Sequence, residues 1–324
     1  MLNKSALARF VLVLCSMVAC VPAALAQSWP TKPVRTVIPY SPGGSVDILL
    51  RMISDRLSQR LGQPFIVEAK PGGSGLLATN EVLRAAPDGH TLLVFANGIT
   101  NMHLTLKTEF DVRRDLLPVT MVRGGMLAAW ISPTLPVNNF REFIAYAKAN
   151  PGKLNYGSQG PGTNNHLEFE MLKQLAGIDV VQVPYKGGEA PIIQGLLGGD
   201  VHIYLGSFLV LGPMYKSGKV KLIAVGGEKR STQFPEVPTY REQGIPFTNT
   251  YWFGYFMPAK TPIEIARKLQ AELKAVYQIP EVYAVLTRNG EDVGGQTPEE
   301  FARTVNTEAA AWEGVVKRIG YVPE

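Results

Sequence analysis

Apolar positions fall into two alternating periods along this chain. Residues 34–40, VRTVIPY, form an apolar run of strand length. Beyond it Val46, Leu49, Leu50, Ile53, Leu57 and Leu61 recur at helical spacing, which predicts a helix with one buried face, ended by Gly62. A second strand is predicted over 64–69. It runs into Lys70-Pro71-Gly72-Gly73-Ser74 and a helix through Val82 and Leu83, and Asp88-Gly89 turns the chain into a third strand over 91–95. The same order returns later. A strand over 154–158 leads into Gln159-Gly160-Pro161-Gly162-Thr163, then a helix that turns Leu167, Met171, Leu172 and Leu175 inward and stops at Gly177. A strand over 180–185 precedes Lys186-Gly187-Gly188 and a helix through Ile192, Ile193 and Leu196, and further strands are predicted over 201–205 and 219–225. Strand–helix alternation of this kind predicts the α/β class, with a parallel, doubly wound sheet in each half.

Four of these units join a strand to a helix through a glycine loop. Open α/β sheets bind ligands beyond the C-terminal ends of their strands. Glycine lets a backbone come close, and a helix start offers unpaired N–H groups with partial positive charge. Two such halves facing each other make a clamshell whose expected guest is an anion.

Composition then bounds the setting. Residues 1–26 read as a secretory leader: Lys4 and Arg9, an apolar run over 10–19, and Ala24-Leu25-Ala26 as the cleavage site. The alternatives are a retained membrane anchor and a lipoprotein anchored through Cys20, where Met17 stands in place of the usual Leu. Export to the periplasm, with cleavage after Ala26, is the expectation. Both cysteines, Cys15 and Cys20, fall in the leader, so the remaining core must hold without disulfides. The length that remains suits two lobes at roughly 100–200 residues per domain. The net charge is +5, of which the leader carries two, leaving a mild +3. No basic run marks a nucleic-acid partner, and no later apolar stretch reaches the length of about 18 residues expected of a membrane span.

Chemistry is bounded by what the loops lack. None contains Gly-Lys-Ser/Thr, and at Gly160-Pro161-Gly162 the third glycine of a dinucleotide fingerprint is replaced by Asn165. No cofactor is called for. The four histidines, His90, His103, His166 and His202, show no zinc-site spacing. Few cations lie in the loops, only Lys70 and Lys186 with Arg51 a turn further on, whereas phosphate usually attracts an arginine fork. A carboxylate fits better, held by backbone N–H groups and the hydroxyls of Ser41, Ser45, Ser74, Ser158 and Thr163; each hydroxyl alone is also an ordinary helix cap. Asp47, in the first turn of its helix, is read as bracing its loop, because a bare carboxylate would repel an anion. Tyr40 and Tyr185 directly precede glycine loops and are candidate cleft walls. A Ser45/His166/Asp47 triad can be written down, but Gly44-Ser45-Val46-Asp47 is not a G-x-S-x-G elbow.

The segments PYSPGGSVDILLR, KPGGSG, AAPDGHTLLV, YGSQGPGTNNHL, VPYKGGEAPIIQGLLGGDV and PEVPTYREQGIPFTNTYWFGYFMPAKTP occur in that order. As a set they resemble the extracytoplasmic solute receptors of tripartite tricarboxylate transporters, the Bug family, from about Trp29 to the C-terminus. The resemblance implies a type II periplasmic binding protein fold, two doubly wound lobes joined by hinge strands. Lobe 1 would comprise residues 27–125 and 252–324, and lobe 2 residues 126–251. It implies no enzyme, but a monomeric receptor that captures a dicarboxylate, acidic amino acid or aromatic carboxylate and delivers it to a two-subunit membrane permease. Contacts would come from Tyr40, Ser41, Gly43, Gly44, Ser45 and Asp47; from Gly73 and Ser74; from Ser158, Gly162, Thr163, Asn164 and His166; and from Tyr185 and Gly187. Asn97 and Ser207 complete the candidate set. The second loop departs from the family's usual Pro-Gly-Ala-Gly-Gly, as does the run Asn97-Gly98-Ile99-Thr100, which bears on the cargo and not on the fold. Two other readings stand beside this one: a ligand sensor for a membrane signalling partner, and an exported α/β hydrolase.

Overall fold

The computed structural model describes residues 29–43, 45–185, 189–288 and 290–323. Residues 1–26, expected to be a leader, and the expected site residues Gly44 and Gly187 lie outside the described residues. In chain order, β1 (Val34–Ile38), α1 (Ser45–Leu61), β2 (Phe65–Ala69), α2 (Leu76–Leu83), β3 (Thr91–Ala96) and the long β4 (Leu116–Met126) come first. The middle of the chain holds β5 (Ala128–Ile131), α3 (Phe140–Ala149), β6 (Asn155–Ser158), α4 (Asn164–Ala176), β7 (Val181–Pro184), α5 (Glu189–Gly198), β8 (Ile203–Gly206), α6 (Phe208–Lys216) and β9 (Lys221–Val225). Then follow β10 (Thr250–Pro258), α7 (Ile263–Tyr277), β11 (Asp292–Val293) and α8 (Pro298–Ile319).

Local signals place these elements. α1 buries Leu49, Leu50, Ile53 and Leu57 and gives way to Gly62 at φ 70°. α4 stops at Gly177, whose φ of 62° is the left-handed conformation that glycine adopts without a Cβ penalty. α8 opens on a reciprocal cap: the Thr297 side chain accepts the Glu300 N–H, and the Glu300 carboxylate accepts the Thr297 N–H.

The strands form two sheets, one for each lobe: β11-β4-β10-β3-β1-β2 and β7-β6-β8-β5-β9. β1 lies parallel to β2 and β3, and β6 lies parallel to β7 and β8. The expectation of wholly parallel sheets is corrected. β10 runs antiparallel to β3 and β4, β11 antiparallel to β4, and β5 antiparallel to β8 and β9. The reason is the crossing between lobes. A strand that arrives from the junction, as β5 and β10 do, must run away from it, whereas the strands of the strand–loop–helix units run toward it.

Each sheet is covered on both faces. In the first lobe, Val34 and Ile38 of β1 share one core with Leu49, Ile53 and Leu57 of α1 and with Leu269 and Leu273 of α7. Val37, Leu93, Phe256, Phe301 and Val305 build the other side. The second lobe does the same with Phe140, Tyr156, Phe169 and Leu172 on one side and Trp130, Ile192, Leu196 and Phe208 on the other.

At the junction the two crossings lie side by side. The Leu127 N–H donates to Asn249 O at 2.9 Å, the Asn249 N–H to Gly226 O at 2.7 Å, and the Gly226 N–H to Leu127 O at 2.8 Å. A Cβ on Gly226 would stand 2.3 Å from Asn249 O, so this close approach requires glycine. α8 adds a second tie between the lobes: Phe301 and Val305 pack on the first sheet, while Trp312 and Val315 pack against Leu167 of α4.

Candidate ligand-binding cleft

Between the lobes lies a cavity of about 750 Å³, within the range of small-molecule sites. Its first wall comes from the ends of β1, β2 and β3: Tyr40, Ser74, Gly75, Ala96, Asn97 and Gly98. Its second wall comes from the loop before α4, the start of α5 and the end of β8: Gly162, Thr163, Asn164, Glu189, Tyr204 and Ser207. Arg123 of β4, with Tyr251 and Phe253 of β10 and Glu291 before β11, closes the hinge side.

Packing sets the first wall. The Tyr40 ring meets Phe253 edge-on at 5.8 Å, and its hydroxyl accepts the Ala96 N–H at 2.8 Å. Burial pushes the Tyr40 phenol well above its ordinary range, so the hydroxyl is neutral. Gly75 has φ 93°, and a Cβ there would lie 2.3 Å from the Phe95 ring. Ser74 also adopts a left-handed φ, 52°, which makes it the one non-glycine residue of that kind among the described residues. Asn97 is held from behind, its Nδ2 donating to Glu308 Oε1 at 3.1 Å and to Thr250 O at 3.3 Å.

On the second wall, Thr163 Oγ1 donates to Gly160 O at 2.7 Å, and Asn165 Nδ2 to Leu205 O at 3.0 Å. Asn101 Nδ2 reaches across the mouth to Asn164 Oδ1 at 2.6 Å, a direct contact between lobes. Ser207 precedes α6 at its N-cap position.

Other expected site residues take different places. Ser158 is fully buried behind the wall; its hydroxyl accepts the Gly160 N–H at 3.2 Å and Gln182 Nε2 at 2.7 Å. That corrects its reading as a ligand contact, since its position serves the loop. His166 Nδ1 accepts the Gly162 N–H at 3.0 Å, and its ring packs on Tyr321. Tyr185 packs against the second lobe's core, over Gly195 of α5. Ser41, Gly43 and Gly73 are exposed and are not among the cavity residues. Asp47 is buried and also stands off the cavity. Its Oδ2 accepts the Gly43 N–H at 2.9 Å and Arg51 Nε at 3.0 Å, and the Arg51 hydrogen bond holds its pKa below the usual carboxylate value. Ser45 opens α1.

The expectation of free loop amides is corrected at several points. The N–H groups of Gly43, Gly75, Ala96 and Gly162 are bonded within the protein, to Asp47, Gly72 O, Tyr40 and His166. These amides stabilise the loops and are not offered to a guest.

The charged side chains of the cleft were not read from the sequence. Arg123 Nη1 lies 3.2 Å from Glu291 Oε1, and the Tyr251 hydroxyl donates to the same oxygen at 3.1 Å. Glu168, in the second turn of α4, is 5 % exposed, and its Oε2 has no hydrogen-bond partner. Asn249 stands near enough to lower the Glu168 pKa in part, but in poor hydrogen-bonding geometry. Burial, with Glu308 nearby, raises that pKa well above the ordinary carboxylate value. Burial also raises the Glu189 pKa, and the nearby Ser207 N–H and Tyr204 hydroxyl offset part of that rise. Signals existed for these residues: Glu168 interrupts the inward face of its helix, Glu189 directly follows a glycine loop, and Arg123 is a lone cation in an apolar strand.

Fold and cleft together define a two-lobed periplasmic binding protein of type II. The profile of the tripartite tricarboxylate transporter family receptor matches residues 49–321, and the chain belongs to that family. Similar proteins include the UPF0065 protein in the gbd 5′ region of Cupriavidus necator, 35 % identical over 93 % of this chain and 92 % of that protein. BugT of Bordetella pertussis is 30 % identical over 91 % of each chain. Among solved structures, R. palustris Rpa4515 with adipate is 32 % identical, covers 91 % of this chain and 100 % of that one, and has a TM-score of 0.80. MatC from Rhodopseudomonas palustris with bound malate is 31 % identical over 89 % and 100 %, with a TM-score of 0.77. The chain is thus a Bug-type solute receptor of a family of binding proteins and not of enzymes.

Proposed function

We propose that this receptor captures a small carboxylate between its lobes and delivers it, as a monomer, to a two-subunit membrane permease for uptake. The observation that carries the reading is the cavity itself, bounded on both sides by strand-end loops whose polar groups face one space. The relatives with adipate and malate support a carboxylate as the guest. The lobes, drawn at 27–125 with 252–324 and at 126–251, would close by rotation at the bonded crossings around Leu127, Gly226 and Asn249. The leader would be removed after Ala26 and the receptor would act in the periplasm.

Isothermal titration of the mature protein against a carboxylate panel tests the capture step. The expected result is saturable, one-to-one binding of at least one member and a matching rise in melting temperature. Failure of every carboxylate, with tight binding of a neutral sugar, would overturn the reading. Delivery is tested by uptake of the bound carboxylate in cells with and without the permease genes; uptake that persists without them removes the permease from the proposal.

A further inference from the structure

The second wall of the cleft carries acid without a matching base. Glu168 and Glu189 both face the cavity from the second lobe. Tyr204, which also lines the cavity, lies within the field of both carboxyl groups. Among the described residues that line the cavity, Arg123 is the only cation, and its guanidinium is paired with Glu291. Three glutamates therefore share the cavity with one arginine. A plain diacid would bring two negative charges into a space whose only cation among the described residues is already paired.

The second observation is the state of Glu168. Its carboxyl is almost wholly buried, one oxygen has no hydrogen-bond partner, and the residue lines the cavity. Leaving a buried polar oxygen unpartnered is costly, and a guest that donates to it removes that cost. The opposite wall, with Ser74, Asn97 and Gly98, holds no carboxylate among its described residues.

We propose that the guest carries a protonated nitrogen seated against Glu168 and Glu189, with its carboxylate directed to the loops of the first lobe. This rests on the carboxylate reading above and narrows it to amino acids and other ammonium-bearing acids. The proton balance follows. Glu168, faced by Glu308, Tyr204 and Tyr240, and Glu189, faced by Tyr204 and Tyr251, are both shifted toward the protonated form without a guest. An arriving ammonium group favours the carboxylates, so binding releases protons to solvent.

The test is isothermal titration of the mature protein with γ-aminobutyrate and δ-aminovalerate against glutarate and adipate, and with n-butylamine, in buffers of differing ionisation enthalpy. The expected result is that an amino acid binds about tenfold or more tightly than the diacid of matched length, with net proton release. Glu189→Gln and Glu168→Gln should each erode that preference, and melting curves identify a variant that fails to fold. The wild-type preference stands as a test by itself. A diacid that binds as tightly as its amino acid, or a preference unmoved in both folded variants, overturns the proposal and leaves the carboxylate reading intact. Butylamine binding as well as γ-aminobutyrate retires the carboxylate reading and keeps the ammonium seat. Binding of none of the five counts against both.

Discussion

Arg123 of β4 and Glu291 meet at 3.2 Å on the hinge side of the cleft, both largely buried, and the Tyr251 hydroxyl donates to the same carboxylate oxygen. The pair joins the strand that leaves the first lobe to the segment that enters β11, whose partners on β4 are Gly124 and Arg123. Removing one partner of a buried ion pair leaves the other charge without compensation, at a cost of about 3–5 kcal/mol. Glu291→Ala is expected to lose about that much stability in denaturant unfolding. Replacing both residues by apolar ones of similar volume should recover a large part of it. A loss in the double variant equal to the sum of the separate Arg123 and Glu291 single losses would show that the pair does not act as a unit.

Ser158 offers a contrast. Its hydroxyl is turned away from the cavity and accepts from Gly160 and Gln182. Ser158→Ala should therefore cost about 0.5–1.5 kcal/mol of stability, by removing the acceptor of two half-buried donors. Its effect on affinity should be the smaller one and follow only from loosening of the loop before α4. Unfolding curves and titrations on the same preparation separate the two. A loss confined to affinity would place the hydroxyl on the ligand after all.

Stability without a guest should depend on pH through Glu168. Burial, with Glu308 nearby, raises its pKa in the folded protein above the ordinary value of 4.5. A raised folded pKa means a contribution that is full below the unfolded value and is lost as pH rises through the folded one. Glu168→Gln cannot ionise and escapes that loss. Its melting temperature relative to wild type should climb as pH rises from the ordinary carboxylate range into the alkaline range, with no advantage at the acid end. A constant difference across that window would rule out Glu168 as the titrating group.

Gly75 forms the floor of the cleft under Phe95. A Cβ there would lie 2.3 Å from the ring, and the backbone φ of 93° is unfavourable for any L residue. Gly75→Ala should cost about 1–3 kcal/mol through overpacking, with a further roughly 1–2 kcal/mol from the left-handed backbone. Because Phe95 also lines the cavity, affinity should fall with stability. A variant as stable as wild type would mean that the ring moves aside at no cost.

Much of the fold was legible in the sequence. The inward positions of α1, the stop at Gly62 and the stop at Gly177 are local, set by helical period and by the backbone freedom of glycine. Strand direction was not legible. β10 lies between β3 and β4, more than a hundred residues away along the chain, and no local pattern states which way it runs. Behind the cleft, the place of Asp47 in the first turn marks it as a brace, and it does hold the Gly43 amide and Arg51. Ser158, by contrast, ends β6 just before a glycine loop, and only the packing of β7 beside β6 brings Gln182 to its hydroxyl.

By itself, the sequence determined the alternation of strands and glycine loops with helices, the absence of cysteine beyond Cys20, and the ordered motifs of the receptor family. These depend on neighbours within a few residues, or on composition. Only the tertiary structure decided which charges share the cleft. Arg123, Glu168, Glu189 and Glu291 come from four distant segments and meet because the chain crosses between lobes at Leu127 and returns beside Asn249. That convergence is a property of pairing and packing across the whole chain, so no local stretch of residues contains it.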